Sequence, residues 1–530
     1  MAPPFKILIA GGGLGGVTLA VLLERAKIDF ELFESSSSVS PLGSAILIGP
    51  TVMPLFEQLG LLRRLQETSK PIKTMHLLEE SLKRIGEIDL ADHKEQTGYD
   101  SLVSTRSDLL QLLVSQIPPH KIHFSKRIVS FTANKDEVVI RCADDTTFRG
   151  DVLIGADGAF SKVRELLYKQ VAKKGILPRQ DAVAVAADVA AATIASAAAL
   201  LDDGSSETVT AEAEGEALKG GHIHLVGVTR ALDVEKFGVL LEDDSRCETV
   251  VGNTLPHSWS YFTVPGNRIC WSVNMEIGDN TLREQRARAA ASSSPPKSPP
   301  SPTPSSLSSL SASSNDSSQF TTAATLGWEA EESNTIAHSL LVSEECRTFQ
   351  LPIALGGKLG DLMDATPKDQ MARAISEETL FETWHHGRTL LIGDACHRMF
   401  PNAAHQGATN AIQDAVILAN LFHDLPSASA ENLVELFKDF QADRYPHAKA
   451  QMLMNRKVDR LLSGQTWTES MMRKFYVRYM SKVYQHFCDS KMLADRPQAN
   501  FLPLVESCGH VNALPQREQK VFGADTHSKH

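Results

Sequence analysis

Three glycine and aspartate signatures, far apart along the chain, constrain what it can fold into more than any other feature. The first is Phe5-Lys6-Ile7-Leu8-Ile9-Ala10, followed by Gly11, Gly13 and Gly16 and the apolar run Val17 to Ala26. The second is Gly155-Ala156-Asp157-Gly158 and the third is Gly393-Asp394-Ala395-Cys396-His397. An apolar stretch of strand length, a glycine-rich turn and a stretch of helix length predict a buried strand that turns sharply into a helix. The free N–H groups and positive dipole end of that helix suit a pyrophosphate. Gly11 permits the turn, Gly13 lets the backbone approach the phosphates, and Gly16 lets the helix pack closely on the strand.

A second apolar strand, Phe30 to Phe33, ends in Glu34, 18 positions beyond Gly16. That is close to the spacing of about 20 expected for an acid that accepts hydrogen bonds from a ribose 2′-hydroxyl. A carboxylate there repels a 2′-phosphate, so the dinucleotide bound in this fold is FAD or NAD, not NADP. Gly43 and Ala45, a little further on, join the candidate cofactor contacts.

The other two signatures repeat the strand-to-turn arrangement. Asp151-Val152-Leu153-Ile154 runs into Gly155 to Gly158, and Leu390-Leu391-Ile392 runs into Gly393-Asp394. Each delivers an aspartate, Asp157 or Asp394, to the carboxyl end of a strand, where ligands bind in open α/β sheets. Asp394 can accept hydrogen bonds from a polyol such as a ribityl chain. The small residues Ala403, Ala404, Gly407 and Ala408 then start a helix whose N-terminus offers donors to an anionic flavin oxygen.

A length of 530 residues allows two or three domains with a large core. A net charge of −11 leaves no electrostatic footprint for nucleic acid or an anionic membrane. Seven scattered cysteines without a CxxC pair indicate a reducing compartment and no structural zinc. No run reaches the about 18 uncharged apolar residues of a membrane helix. The chain is therefore expected to be intracellular, in the cytoplasm, with no transmembrane segment. Its ending, Ser528-Lys529-His530, is only a near-match to the peroxisomal tripeptide.

Two stretches depart from globular composition: an alanine-rich then acidic insert at about 182–221, and a Ser/Pro-rich insert at about 284–320 expected to be disordered. Between them, His222 to Gly227, Ser258 to Val264 and Arg268 to Asn274 have strand composition and should form a separate sheet. Trp259 and Tyr261 share one face of their strand and Phe262 takes the other. The pair reads first as core and second as a roof over a substrate. His257 beside them is a candidate base. After Pro426 the sequence reads as helices, Leu433 to Arg444 and then Ala448 to Gln485, with Met471, Met472, Phe475, Tyr476, Tyr479 and Val483 as a stripe for core packing or for a homo-oligomer. The closing Arg496 to Leu504 reads as an extended segment that packs back on the body.

The three signatures, in this order and separation, resemble the FAD-dependent aromatic hydroxylase-like monooxygenases, the class of p-hydroxybenzoate hydroxylase, salicylate hydroxylase and zeaxanthin epoxidase. The likeness is nearest to fungal FAD-binding monooxygenases of secondary metabolism, and spans Phe5 to about Arg444 outside the inserts. It implies an α/β fold, α+β overall: a Rossmann-type FAD-binding domain from 1–170 and 380–450 and an interleaved mixed β-sheet substrate domain over 171–379; beyond the likeness, 451–530 reads as a helical C-terminal region. It implies that Gly155 to Gly158 serves both FAD and the nicotinamide donor, that Gly393-Asp394 contacts the ribityl region, and that Arg106, in Ser104-Thr105-Arg106-Ser107-Asp108, is the FAD-contacting arginine. It further implies that NADH or NADPH reduces FAD, that O2 then forms a flavin C4a-hydroperoxide, and that an aromatic or lipophilic small molecule is hydroxylated or epoxidised. The cofactor carries that chemistry, so no catalytic triad or metal is expected. A flavoprotein dehydrogenase or oxidase, or a non-catalytic flavin-binding protein, is the alternative. One departure stands out. His405 takes the place of a family glycine in Pro401-Asn402-Ala403-Ala404-His405-Gln406-Gly407, where a positive φ would cost a histidine on the order of 1 kcal/mol.

Overall fold

The computed structural model describes residues 5–39, 44–184, 221–252, 257–277, 344–376, 378–399, 406–463 and 491–518. Most of both inserts, Gly43, His405 and the stripe from Met471 to Val483 lie outside them.

The first apolar stretch folds as expected, into strand β1 (Lys6–Ala10), helix α1 (Leu14–Ala26) and strand β2 (Asp29–Phe33). Ile7, Leu8 and Ile9 are fully buried, as a strand covered on both faces must be. Four further elements matter before the second signature: β3 (Ala45–Ile48), β4 (Thr74–Glu79), β5 (Leu102–Thr105) and α2 (Arg106–Val114). The second signature follows β6 (Val152–Gly155) and precedes α3 (Lys162–Lys173).

Next come β7 (Gly221–Val228), β8 (Cys247–Val251), β9 (His257–Val264), β10 (Arg268–Ile277) and β11 (Met371–Ser376). The third signature follows β12 (Thr389–Leu391), and the helices α4 (Gln406–Asp424) and α5 (Ala430–Ser463) come after it.

Two large sheets organise these elements, apart from β3 and β5, which pair with each other in a small third sheet. The first has the order His385–His386, β12, β6, β1, β2, Ile122–His123, and all its neighbours are parallel except the edge strand His385–His386. The second is mixed, in the order β11, β7, β10, β9, β8, β4, Arg84–Asp89, with β8 and β4 parallel and the rest antiparallel. β4 and Arg84–Asp89 precede β6 in sequence yet join the second sheet, so the chain interleaves the two halves. Composition alone did not show that membership, nor that of β8 and β11.

The two faces of the second sheet differ. Trp259 and Tyr261, 6% and 1% exposed, turn outward with Trp271 and Val273 into a core closed by Phe349, Leu351, Leu359 and Leu362. Trp259 stacks on Phe349 at 4.5 Å, and the Tyr261 hydroxyl donates to Glu248 at 2.8 Å. The pair is core, not a roof. Phe262, on the opposite face, packs with Ala45 and Val103 of the first half. β9 starts at His257, whose side chain is not among those described.

The sequence reads as one helix ending at Arg444 and another starting at Ala448, on either side of Pro446. Instead α5 runs through it, because Arg444 on one side is anchored to Asp414 and Ala448 and Met452 on the other are buried in the main core. Tertiary contacts outweigh the lost N–H. The segment from Lys491 onward does pack back on the body: Asn420 donates to Gln498 O at 2.8 Å and Arg496 to Thr97 O at 3.1 Å.

The crossing of α1 over β1 is the tightest point of the first half. A methyl added at Gly16 would lie 2.1 Å from the Gly11 carbonyl oxygen, whereas one at Gly13 would meet only the Arg106 guanidinium at 3.6 Å. Gly16→Ala is expected to cost about 1–3 kcal/mol through overpacking. Gly13→Ala should leave the protein within about 0.5 kcal/mol of wild type. Thermal melts of the two variants without added ligand check this.

Candidate functional site

Ala10, Gly155 and Leu391 end three adjacent parallel strands in register. The three signatures, distant in sequence, therefore emerge side by side from the carboxyl edge of one sheet. Gly11 has φ +105°, and a side chain there would meet the Ala156 carbonyl oxygen at 2.4 Å, so the first and second turns touch through bare backbone. Gly13 is the N-cap of α1 and supplies no side chain, which leaves the first-turn N–H groups without a side-chain cap. Glu34, at the end of β2, curls back over this turn: Gly12 N donates to its Oε2 at 2.6 Å and Ser36 N to its Oε1 at 2.9 Å.

In the second turn the Asp157 carboxylate works locally. Val163 N donates to Oδ2 at 3.0 Å and the Ser161 hydroxyl donates to Oδ1, while Ser161 itself caps α3 by accepting from Arg164 N at 2.9 Å. Gly158 has φ +79° and no atom within 4 Å of an added side chain, so this turn presents open backbone. Buried Arg164, lying over the Phe381 ring, donates to Ala159 O at 2.7 Å and to Ala395 O at 3.0 Å. It fastens the second turn to the third.

The third turn hangs on a buried charge. Gly393, at φ +61°, donates its N–H to Asp414 Oδ2 at 2.9 Å. The same oxygen lies 2.6 Å from His397 Nε2, and Oδ1 accepts from Arg444 Nε at 2.7 Å. Asp414, His397 and Arg444 are all buried. Burial alone would raise the Asp414 carboxyl, but the charges and hydrogen bonds of His397 and Arg444 outweigh it and hold the group far below the usual carboxylate range. Cys396, His397 and Asp414 bring ligand-type atoms within 4.8 Å of one another. Both Asp414 oxygens are already engaged, and burial pushes the Cys396 thiol well up, so the cluster is built as an ion-pair network rather than a metal centre.

Asp394 and Arg106 stand apart from this pattern. No hydrogen bond to the Asp394 carboxylate and none from the Arg106 guanidinium is made among the described residues, although both are half-buried. Arg106 opens α2, with its neighbour Thr105 as the cap that accepts from Asp108 N at 3.2 Å. Burial lowers the proton affinity of Arg106, while Asp394 and then Glu34 raise it, so the one cation serves acids from two signatures. Burial raises the Asp394 carboxyl against the nearby charges of His397, Arg106, Arg398 and Arg164. Gly407, at the start of α4, has its Cβ position 3.6 Å from Asp394 Oδ1, and Ala408 packs on the main core. An uncapped helix N-terminus and an acid without a hydrogen bond among the described residues at one sheet edge, with the Arg106 guanidinium reaching Gly13 from α2, suit the phosphates and hydroxyls of a dinucleotide. Ala45 pairs with Thr105, beside Arg106, and its own N–H donates to Cys270 Sγ at 3.0 Å, in the seam between the sheets.

Sequence reasoning passed over Asp414, Arg444 and Arg164. A signal existed for the first: Asn410, Gln413 and Asp414 recur at helical spacing in an otherwise apolar stretch, and buried polar groups require partners. Asp414→Asn should cost about 3–5 kcal/mol, because it strands the buried Arg444. Asp414 has a depressed folded pKa, so its contribution is complete above the unfolded value of about 3.9 and is lost as pH falls below it. Melts between neutral pH and pH 3 should therefore show a steeper acid loss for wild type than for Asp414→Asn.

Comparison with known proteins agrees with this geometry. A family model described as FAD binding domain matches residues 5–205 and 359–455, more than half of the chain. The FAD-dependent monooxygenase esdpE of Penicillium shearii is 24% identical over 522 residues, covering 95% of this chain and 87% of the relative. The FAD-dependent monooxygenase paxM of Penicillium paxilli is 25% identical over 525 residues, covering 95% and 88%. Among solved structures, Klebsiella pneumoniae HpxO, complexed with FAD and uric acid, superposes with a TM-score of 0.59 at 18% identity, over 92% of this chain and 97% of that one. The chain belongs to the FAD binding domain family.

Proposed function

We propose that the protein is an NAD(P)H-dependent flavin monooxygenase that uses O2 to hydroxylate or epoxidise an aromatic or lipophilic small molecule. The observation that carries this reading is the meeting of Arg106, Asp394 and the uncapped start of α1 at the ends of three adjacent parallel strands. On this reading Gly11, Gly13, Gly16, Glu34, Arg106, Asp157, Gly158, Asp394, Gly407 and Ala408 surround the cofactor. The α1 N–H groups and Arg106 offset the negative charge of the pyrophosphate, and Glu34 and Asp394 accept from hydroxyl groups. Gly43 and Ala45 complete the set drawn from the sequence.

Bound FAD supplies the hydride acceptor and, once reduced, the centre that transfers one atom of O2 to the substrate. The protein's part is to hold it, to orient the substrate and to exclude water. The division of labour follows the sheets. Residues 1–170 and 380–450 form the FAD-binding part, except that β4 and Arg84–Asp89 join the sheet of 171–379, which covers the substrate; of the C-terminal region 451–530, the described residues 451–463 and 491–518 buttress the FAD-binding part. No second dinucleotide fingerprint occurs in the sequence, which favours transient docking of the nicotinamide near Gly155 to Gly158.

Purified protein supplied with FAD should show a bound-flavin visible spectrum that bleaches on anaerobic addition of NADPH or NADH. Absence of bound flavin after FAD addition would sink the reading, and flavin that stays oxidised with both donors and a substrate panel would sink the monooxygenase assignment. Gly13→Ala and Asp394→Ala should each weaken FAD binding about tenfold or more, about 1.4 kcal/mol, with the folded protein retained. Titration of stripped protein with FAD, followed by flavin fluorescence, measures this.

A further inference from the structure

The inward face of the second sheet changes character along its strands. Cross-strand partners share a face, so the strand registers group its side chains into rungs. One rung, Val228, Cys270, Phe262 and Cys247, is apolar and buried, and it seats on the first half where Ala45 N–H meets Cys270 Sγ. The next rung brings Val226 beside Ser272 and Ser260, whose hydroxyls are 2.7 Å apart. The third brings His224 beside Asn274 and Ser258. Each rung advances about 7 Å, so His224 and Asn274 lie about 13 Å along the sheet from the seam.

His224 is only 5% exposed. Its Nδ1 is hydrogen-bonded to Asn274 Oδ1. With that carbonyl as acceptor, Nδ1 carries the proton and Nε2 is left as a bare lone pair. Burial favours the neutral ring, against the opposing effect of the Asn274 hydrogen bond. Among the described residues Nε2 has no hydrogen-bond partner, and neither has the Asn274 amide nitrogen. A nearly buried imidazole held in one tautomer by a neighbour, with its second nitrogen unused, is poised for an external donor. The three rungs contain no Lys or Arg, so nothing in them favours an anionic acid.

Resting on the monooxygenase reading above, we propose that His224, oriented by Asn274, recognises a hydroxyl or ring N–H on an otherwise apolar ring substrate. Nε2 accepts that proton in a hydrogen bond, the Ser260 and Ser272 hydroxyls border it, and the hydrocarbon body lies toward Val226 and Phe262. Asn274 is a positioning residue; His224 touches the substrate.

The test is equilibrium dialysis of FAD-loaded protein with 2-naphthol, which can donate, and 2-methoxynaphthalene, which cannot. Wild type should bind the naphthol about tenfold more tightly, the worth of one well-placed hydrogen bond in a buried site. His224→Phe should bring the ratio near one, and His224→Gln, which keeps an acceptor, should restore part of it. Asn274→Leu should also lower the ratio, and it carries the test if His224→Phe fails to fold. Equal affinities in wild type, a preference that survives in His224→Phe, or no binding of either probe to FAD-loaded protein overturns the proposal. Failure of the wild-type chain to take up FAD overturns instead the reading on which it rests.

Discussion

A carboxylate with no solvent contact is tolerable only if other groups replace the water it has lost. Asp414 finds those groups in three places: the backbone N–H of Gly393, the ring of His397 and the guanidinium of Arg444. Each comes from a different local structure, so satisfying one charge fixes a loop, a short strand and a long helix together. The third turn owes its position to this. Gly393, at φ +61°, is fastened from below through its N–H, and the Asp394 carboxylate accepts no hydrogen bond among the described residues. Arg164 adds a second tie, from α3 to the Ala395 carbonyl. Asp394 is thus supported by a buried layer whose central carboxylate, Asp414, is engaged through both oxygens.

The parts of this architecture that were legible in the sequence are local ones. Gly11, Gly13 and Gly16 announce their turn because steric limits on backbone conformation are written in single residues, and the apolar runs of β1, β6 and β12 announce buried parallel strands. Even there, Asp157 turned out to cap α3 while also lying at the strand edge, a double use that its motif does not distinguish. What sequence could not show is pairing between remote segments. That β4 lies parallel to β8, or that Arg444 reaches Asp414 across 30 positions, depends on loop closures and packing that no local pattern encodes. The outward turn of Trp259 and Tyr261 was decided by Phe349 and its neighbours, and the unbroken course of α5 through Pro446 by anchors on either side.

The two halves meet at a chemically mixed seam. Arg268, at the start of β10, donates to Asp108 at 3.1 Å, and Asp108 accepts from the cap residue Thr105 at 2.6 Å. The second sheet is therefore bonded to the first turn of α2, the turn that carries Arg106. Two residues further along β10, Cys270 receives the Ala45 N–H at the head of β3. A rigid seam of this kind keeps the inward face of the second sheet in a fixed relation to the strand edge, as reaction geometry demands.

The interleaving of the two sheets has a consequence for how such a protein can change. The second sheet takes β4 and Arg84–Asp89 from before the second signature and its other strands from between the second and third. No single cut separates the halves, so the second sheet cannot be exchanged as one inherited block. Change in it must come by point substitutions along individual strands, accumulated beside a strand-edge scaffold that every intermediate has to preserve.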